Sequence, residues 1–455
     1  MEEITQFELS KEFLDRFRQA VADKDQAFIA SSLESVNTVD ISALLEEFNA
    51  DESKFVLSLL GNEITADVVS NLDEDTRTRF LKLFEPSEVA EVVKDLDSDD
   101  AADILGELSI QKREEVINLI DDQETESNIL ELLHYEEDVA GGLMAKELIK
   151  ANFNWTIIQT IDEIRRQAEK VEKIYSVYVV DDNGKLLGRV SLKKILLTND
   201  KTKIGDIYDA DIVSVDTFTE EEEVASIMRK YDLDAVPVVN TQGKLVGRIT
   251  VDDILDVITE MAEEERQLMS GIAEDVEEDD SIWILTRARL PWLIIGVAGG
   301  LLSAEFMGLF EEDIMNGAWI ALFLPLIQAT GGNVGIQSSS IVVQSLANPS
   351  AFEEGLWKRL LKVFLVALLN ALVLSILVFG ASNLMGFSLE QCFVISLALF
   401  SVVVLASFVG TITPLILNKV GFNPALASGP FITTLNDILG LAIYFYIIHL
   451  LINNF

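Results

Sequence analysis

Val177-Tyr178-Val179-Val180-Asp181-Asp182-Asn183-Gly184-Lys185-Leu186-Leu187-Gly188-Arg189-Val190-Ser191 returns 59 residues later as Val236-Pro237-Val238-Val239-Asn240-Thr241-Gln242-Gly243-Lys244-Leu245-Val246-Gly247-Arg248-Ile249-Thr250. Each copy reads as a β-hairpin: a β-branched strand, an Asn-Gly or Gln-Gly turn, then a second strand. Helical segments flank both copies, around Ile161 to Ala168 and Leu192 to Leu197 in the first, and Glu222 to Lys230 and Val251 to Met261 in the second. The repeat therefore predicts two α/β domains in tandem, and it separates two stretches of different character within the 455 residues.

Upstream, from Ala66 to Asp121, apolar positions recur every twelve residues. Ala66-Asp67-Val68-Val69, Ala90-Glu91-Val92-Val93 and Ala102-Asp103-Ile104-Leu105 hold one phase, with Phe80-Leu81 and Val116-Ile117 between and after them. Asp73, Asp97, Ser109 and Asp121 stand where helix N-caps are expected. The pattern predicts an all-α stack of short helices, each burying its apolar face on its neighbours.

Downstream, five mostly apolar stretches, approximately 290–310, 316–346, 360–385, 391–417 and 424–451, are each long enough to cross a bilayer. Charge divides along the same line. Residues 290 onward hold eight acids and four bases, net −4, so that −38 of the total −42 falls on residues 1–289. Arg287 and Arg289, then Lys358, Arg359 and Lys362, then Lys419, all fall in connections on one side of the membrane. By the positive-inside rule the N-terminal half is cytoplasmic and the C-terminus outside. Met1-Glu2-Glu3-Ile4 lacks the basic start of a signal peptide.

The composition excludes several classes. With 76 acids against 34 bases the chain repels phosphate backbones, so nucleic acid is no partner. One cysteine, Cys392, rules out an internal disulfide framework and a Cys-rich metal site. The two histidines, His134 and His449, are far apart, which removes the His-Glu-x-x-His metal site, and there is no P-loop.

Polar groups inside the apolar stretches mark candidate pathways. Gln328-Ala329-Thr330-Gly331-Gly332-Asn333-Val334-Gly335-Ile336-Gln337-Ser338-Ser339-Ser340 lies within the second, where paired glycines favour a locally opened helix or close packing. Asp437, in Thr433-Thr434-Leu435-Asn436-Asp437-Ile438, is the acid of the fifth, with no base within the stretches to pair it. A cation is the expected partner. Pro414, Pro424 and Pro430 interrupt helical hydrogen bonding nearby. Oxygen donors without thiolate or imidazole suit magnesium, calcium or manganese over zinc or copper, and magnesium, which keeps several waters, tolerates few protein ligands. Sodium or a proton also uses a single aspartate.

The hairpin repeat resembles tandem CBS domains, modules that sense nucleotides or ions. The order of acidic helical domain, CBS pair, connecting helix and five spans resembles the MgtE family of magnesium channels. Matching residues include His134-Tyr135-Glu136-Glu137-Asp138-Val139-Ala140-Gly141-Gly142-Leu143-Met144, Arg289-Leu290-Pro291-Trp292-Leu293, Gly331-Gly332-Asn333 and Pro424-Ala425-Leu426-Ala427-Ser428-Gly429-Pro430. The resemblance implies a multidomain membrane protein: an acidic helical-repeat domain over 1–135, CBS domains over 136–203 and 204–262, a plug-like connecting helix over 263–285 and a five-helix transmembrane domain over 286–455. It implies a homodimer in the cell membrane that is not an enzyme and takes up Mg2+. The pore would hold Asp437 and Asn333, with Ala425 and Ser428 near its cytoplasmic mouth. Asn423 stands where many members carry Asp.

Regulatory Mg2+ would bridge Asp95, Asp97, Asp99 and Asp100 of the helical domain to Asp252, Asp253, Asp256, Glu260 and Glu263, holding a compact state that presses the connecting helix, Glu263 to Ala273, against the pore. CBS pairs also bind adenine nucleotides, here ATP, with Asp234, Thr250 and Asp253 as candidate contacts. A secondary exchanger of Mg2+, Mn2+ or Co2+ under CBS control is the alternative function, and a CBS-regulated membrane enzyme a remote one.

Overall fold

Asn37, Asn49, Gly61, Asp73, Glu85, Asp97 and Ser109 occupy the N-cap positions of seven helices that begin at Thr38, Ala50, Asn62, Glu74, Pro86, Ser98 and Ile110, each twelve residues after the last. The computed structural model describes residues 9–167, 171, 173–274, 276, 281–346, 356–427 and 429–452, and the chain divides into two units, Met1–Ile258 and Thr259–Phe455. Helices this short are marginal alone. Each survives by burying an apolar pair, Leu44-Leu45, Val56-Leu57, Val68-Val69, Phe80-Leu81, Val92-Val93, Ile104-Leu105 or Val116-Ile117, in one continuous core. The period begins at Thr38, upstream of the Ala66 where residue types first repeat, because the phase persists although the residues change. Lys11–Asp23 and Gln26–Leu33 precede the array and Gln123–Leu132 follows it. Asp73 caps as expected, accepting from Thr76 N at 2.8 Å, whereas Asp122 rather than Asp121 caps the last helix. Asp97 and Ser109 sit at N-caps but accept no capping hydrogen bond there.

The two hairpins form as the repeat predicts, each extended by a parallel strand that the sequence pattern did not disclose. β1 (Ile149–Asn152) runs parallel to β2 (Val177–Val180), which pairs antiparallel with β3 (Leu186–Val190). In the second copy β4 (Val215–Asp216) lies parallel to β5 (Ala235–Val239), and β5 is antiparallel to β6 (Leu245–Thr250). The same irregularity recurs 59 residues apart, at Val179/Val180 and Val238/Val239. Gly184 and Gly243 take positive φ at the turns, +80° and +74°. The hairpin tips then bind each other reciprocally: Leu186 N donates to Gly243 O, and Leu245 N to Gly184 O. The two copies thus join through their hairpin tips.

Val251–Ser270 is one unbroken helix. It merges the helix after the second hairpin with the connecting helix expected from Glu263, since neither glycine nor proline interrupts it, and it ends where Gly271 takes φ +80°. Five helices long and apolar enough to cross a membrane follow: Ile282–Gly308, Trp319–Leu346, Leu356–Leu384, Leu389–Val420 and Pro430–Ile452. The first starts earlier than the apolar stretch and includes Arg287 and Arg289 in its opening turns. The fourth packs against the second, third and fifth, and the first against the fifth. Gly331-Gly332 do not open the second span, which continues through them; Gly331 admits Val402 of the fourth span and Gly332 admits Thr433 of the fifth. Close packing is the use made of these glycines. Tyr444 donates to the Ile320 carbonyl at 2.9 Å, so its buried hydroxyl is satisfied.

Ile104 lies at 0% exposure in the helical array. Ile104→Ala is expected to destabilise the cytosolic half by about 2–5 kcal/mol, read as an earlier urea transition. A shift below about 0.5 kcal/mol would show that the array does not share one core.

Candidate metal centres

Two places in this chain gather carboxylates or oxygen donors, one in each unit. In the first unit, Asp97, Asp99 and Glu147 bring carboxylate oxygens within 4.8 Å of one another. Asp97 is the N-cap of Ser98–Gly106 and Asp99 lies in its first turn, while Glu147 arrives from the segment leading into β1. Ser98 fixes that arrival. Its backbone N and its Oγ both donate to Glu147 Oε2, at 3.1 and 2.7 Å, and Lys146 N donates to Ser98 Oγ at 2.9 Å. Lys146 itself is held by Glu131 at 2.7 Å. Glu147 was not among the residues expected here, since it lies 49 positions from Ser98 and only the fold joins them.

Negative charge is crowded at this place. Burial pushes the Asp99 carboxyl well above its ordinary range, and the charges of Asp100 and Asp253 push it further. Asp100 rises to about 6, by loss of hydration and then by Asp253, and Asp103 to about 7, by loss of hydration and then by Asp100. Both side chains keep solvent access, yet the protein around them removes enough water to matter. Asp253 and Asp256 are raised as well, first by burial and then by Asp252. Of the expected bridging set, then, Asp97 and Asp99 meet with Glu147, and Asp100 and Asp253 feel each other's charge. Asp95 is exposed with no such link, and Asp252 has Lys173 at 3.9 Å. Glu260 and Glu263 lie further along the Val251–Ser270 helix, where Arg266 is 3.9 Å from Glu263. A hard divalent ion fits the oxygen-only donors of the Asp97, Asp99 and Glu147 cluster.

Among the candidate nucleotide contacts, Asp253 Oδ2 accepts from Thr250 N at 2.9 Å and from Thr250 Oγ1 at 2.8 Å. These two residues are therefore fixed together at the start of the Val251–Ser270 helix. Asp234 contributes its backbone carbonyl, which accepts from Val251 N at 3.0 Å.

In the second unit a cavity of about 850 Å³ runs from Ser270, Gly271, Gly429 and Pro430 to Thr433, Thr434 and Asp437, walled by Arg289, Trp292, Leu293, Gly296, Val297 and Ile336. Asp437 is half-buried on its wall. The expectation that no base is near needs one correction: Arg289, inside the first span, lines the same cavity, although no ion pair joins it to Asp437 among the described residues. Seven residues separate Pro430 from Asp437, about 10 Å along a helix. Asn333 does not line the cavity and stands exposed on the second span, one residue from the buried Gly332.

Ala425 is buried rather than open to the cavity. It packs with Leu268 of the connecting helix and Val343 of the second span, with Met269 and Leu426 beside them. Asn423 uses its Oδ1 to accept from Ala425 N at 2.9 Å, a turn-capping role. Ser428 lies outside the described residues. The end of the connecting helix is seated tightly: a Cβ at Gly271 would fall 2.4 Å from Pro430 Cγ, and one at Gly429 would fall 2.4 Å from the Met269 carbonyl. Two glycines at positive φ, +80° and +56°, make this contact possible.

Comparison with known proteins gives these features a family. A model of the MgtE divalent cation transporter domain matches residues 324–447, a model of the MgtE intracellular N domain matches 36–138, and CBS domain models match 138–198 and 204–260. The magnesium transporter MgtE of Thermus thermophilus is 32% identical over 443 residues, 96% of this chain and 97% of the relative. This chain belongs to the MgtE family. The magnesium transporter MgtE of Enterococcus faecalis is 35% identical over 71% of each chain. A crystal structure of the cytosolic domain of the Mg2+ channel MgtE in complex with ATP is 34% identical and covers 53% of this chain and 98% of its own, with a TM-score of 0.50. The helical domain, CBS pair and five candidate spans are thus the MgtE architecture, and the relatives it matches over most of its length are named as transporters.

The crowded acids of this MgtE protein make a pH prediction with a definite sign. Their folded pKa values are raised, so the protonated form is favoured by folding, and stability falls as pH climbs from the ordinary carboxylate range through about 6 and 7. In chelator, the first thermal transition is expected to drop between about pH 5 and about pH 7.5, and millimolar Mg2+ to restore more of it at the higher pH. A transition that ignores pH without metal would contradict this electrostatic picture.

Proposed function

We propose that this chain transports Mg2+ across the cell membrane as a homodimer, along a path that passes Asp437, under negative feedback from Mg2+ on the cytosolic face. The observation that carries the reading is Asp437: a carboxylate on the wall of a roughly 850 Å³ cavity among the apolar helices, with threonines beside it and no ion pair among the described residues. Such a group has two stable choices in low dielectric, protonation or a cation. A cavity this wide admits a cation that keeps its water, and magnesium gives up water reluctantly. The relatives named as magnesium transporters, matched over 96% and 71% of this chain, agree with this choice of ion. Relatives named as transporters support transport rather than a reaction as the function proposed.

Feedback follows from charge. Mg2+ at Asp97, Asp99 and Glu147, and near Asp100 and Asp253, offsets the mutual repulsion of these acids. Asp252 and Asp253 open the helix that closes with Leu268, Met269 and Gly271, which seat against Ala425 and Pro430. A compact, magnesium-loaded cytosolic half would hold that seat, and loss of the ion would release it. Asn333 and Ser428 are assigned to the pore of the assembled dimer on the family resemblance. ATP is proposed as a ligand of the CBS pair through Thr250 and Asp253, in keeping with the ATP-bound relative. The bases Arg287, Arg289, Lys358, Arg359, Lys362 and Lys419 support, by the positive-inside rule, an N-terminal half in the cytoplasm and a C-terminus outside.

Liposomes carrying the purified protein test the reading. Wild type is expected to pass Mg2+ down its gradient without a sodium or proton gradient, and Asp437→Asn to lower that flux by at least about tenfold while expression and melting temperature persist. Flux retained in Asp437→Asn would remove Asp437 from the path. Flux that requires a sodium or proton gradient would replace the channel with an exchanger.

A further inference from the structure

Asn436 is 2% exposed, and neither its amide nitrogen nor its amide oxygen has a hydrogen-bond partner in the protein. It occupies a space that only glycine leaves. A Cβ at Gly335 would fall 1.8 Å from Asn436 Nδ2, and a Cβ at Gly410 would fall 2.4 Å from the Gly335 carbonyl oxygen. The second, fourth and fifth spans thus meet at one point, with the Gly335 backbone clasped between Gly410 and the Asn436 amide. Three residues along, Ser338 of the second span donates to Ser407 of the fourth at 3.2 Å, so those hydroxyls are engaged with each other.

The adjacent residues face the other way. Asp437 is turned about 100° from Asn436 around the helix axis, and it lines the cavity together with Ile336, the residue after Gly335. Asn436 and Gly335 therefore make the close-packed crossing, and Asp437 and Ile336 line the cavity. A side-chain amide offers two donors and an oxygen acceptor, and a buried site that leaves all of them unmet is disfavoured relative to leucine, which is of similar size and makes no such demand. Water completes a group that must both donate and accept, and the cavity lined by the next residue, Asp437, can supply it.

We propose that Asn436 is a positioning residue for Asp437: water drawn from the ion path bridges its amide to the Asp437 carboxylate, and this bridge, with the fit of Asn436 onto Gly335, aims the carboxylate at the hydrated cation. The inference rests on Asp437 as the cation-binding group of the path. The amide itself never touches the ion. It sets the direction of a neighbour that does, so its loss weakens cation capture while leaving the path open.

The test uses full-length protein in liposomes, with Mg2+ flux measured against Mg2+ concentration. Asn436→Leu is expected to keep or raise the melting temperature, to retain maximal flux within about twofold, and to raise the half-saturating Mg2+ at least about fivefold. An unchanged half-saturation in a folded Asn436→Leu protein would overturn the proposal. Should leucine prevent folding, the near-isosteric pair Asn436→Ser and Asn436→Ala decides. Serine can hold the bridging water and is expected to stay near the wild-type half-saturation, whereas alanine is expected to share the fivefold rise; equal values for the two would overturn the proposal. Asp437→Asn measured alongside separates the two claims. Transport retained there overturns the ion-path reading, whereas transport lost there with wild-type behaviour in Asn436→Leu overturns only this inference.

Discussion

Carboxylates crowded together or set among apolar helices impose the main constraint on each unit of this chain. The sequence carries 76 acids and 34 bases, and the fold does not disperse the excess. It concentrates carboxylates where the helical array meets the segment entering the CBS pair, until Asp99, Asp100 and Asp103 hold their protons far more strongly than free aspartate. Elsewhere it sets one carboxylate, Asp437, on the wall of a cavity among apolar helices. Neither arrangement is stable as a bare set of charges. In the function proposed above, one hard divalent cation answers both.

The backbone supplies the rigidity that lets these charges act. Twelve-residue spacing fixes where each N-cap of the array falls, so Asp97 and Asp99 present their carboxylates from one helix end while Ser98 between them anchors Glu147. The reciprocal hydrogen bonds between hairpin tips lock the CBS pair as a body, and the second hairpin leads without a break into Val251–Ser270. Glycine then governs the close contacts of the second unit. Gly271 and Gly429 let the connecting helix seat against Pro430, and Gly335 and Gly410 let three spans cross with almost no separation. Bulk at any of these four positions would need the neighbouring backbone or ring to shift.

Much of this was legible in the residues. The 59-residue repeat foretold both hairpins and their turns, and the apolar stretches foretold the five long helices. What periodicity cannot show is which distant segments meet. Glu147 joins Asp97 and Asp99 through tertiary contact alone, and β1 and β4 are too short and too separate from their hairpins to be paired from pattern. The upstream half of the helical array escaped notice because its phase is kept by different residue types. Gly331-Gly332 admitted two readings, an opened helix or close packing, and only the neighbours Val402 and Thr433 decide between them. Ala425 was placed at a pore mouth by resemblance, and the packing of Leu268 and Val343 on it is a fact of the folded chain. Asn436 had a signal of its own, an amide beside the lone acid of an apolar stretch, which gained meaning once Gly335 was seen beneath it.

The central claim is that the cation which passes Asp437 also governs the path by neutralising the cytosolic acids. The measurement that tests it most directly is Mg2+ flux as a function of Mg2+ on the cytosolic face, compared between wild type and the triple variant Asp97→Asn, Asp99→Asn, Glu147→Gln. Neutralised side chains no longer repel and no longer recruit the ion, so the variant should lose the dependence of flux on cytosolic Mg2+ while its maximal flux stays within about twofold. A variant that shuts at the same cytosolic Mg2+ as wild type would show that this cluster does not control the path.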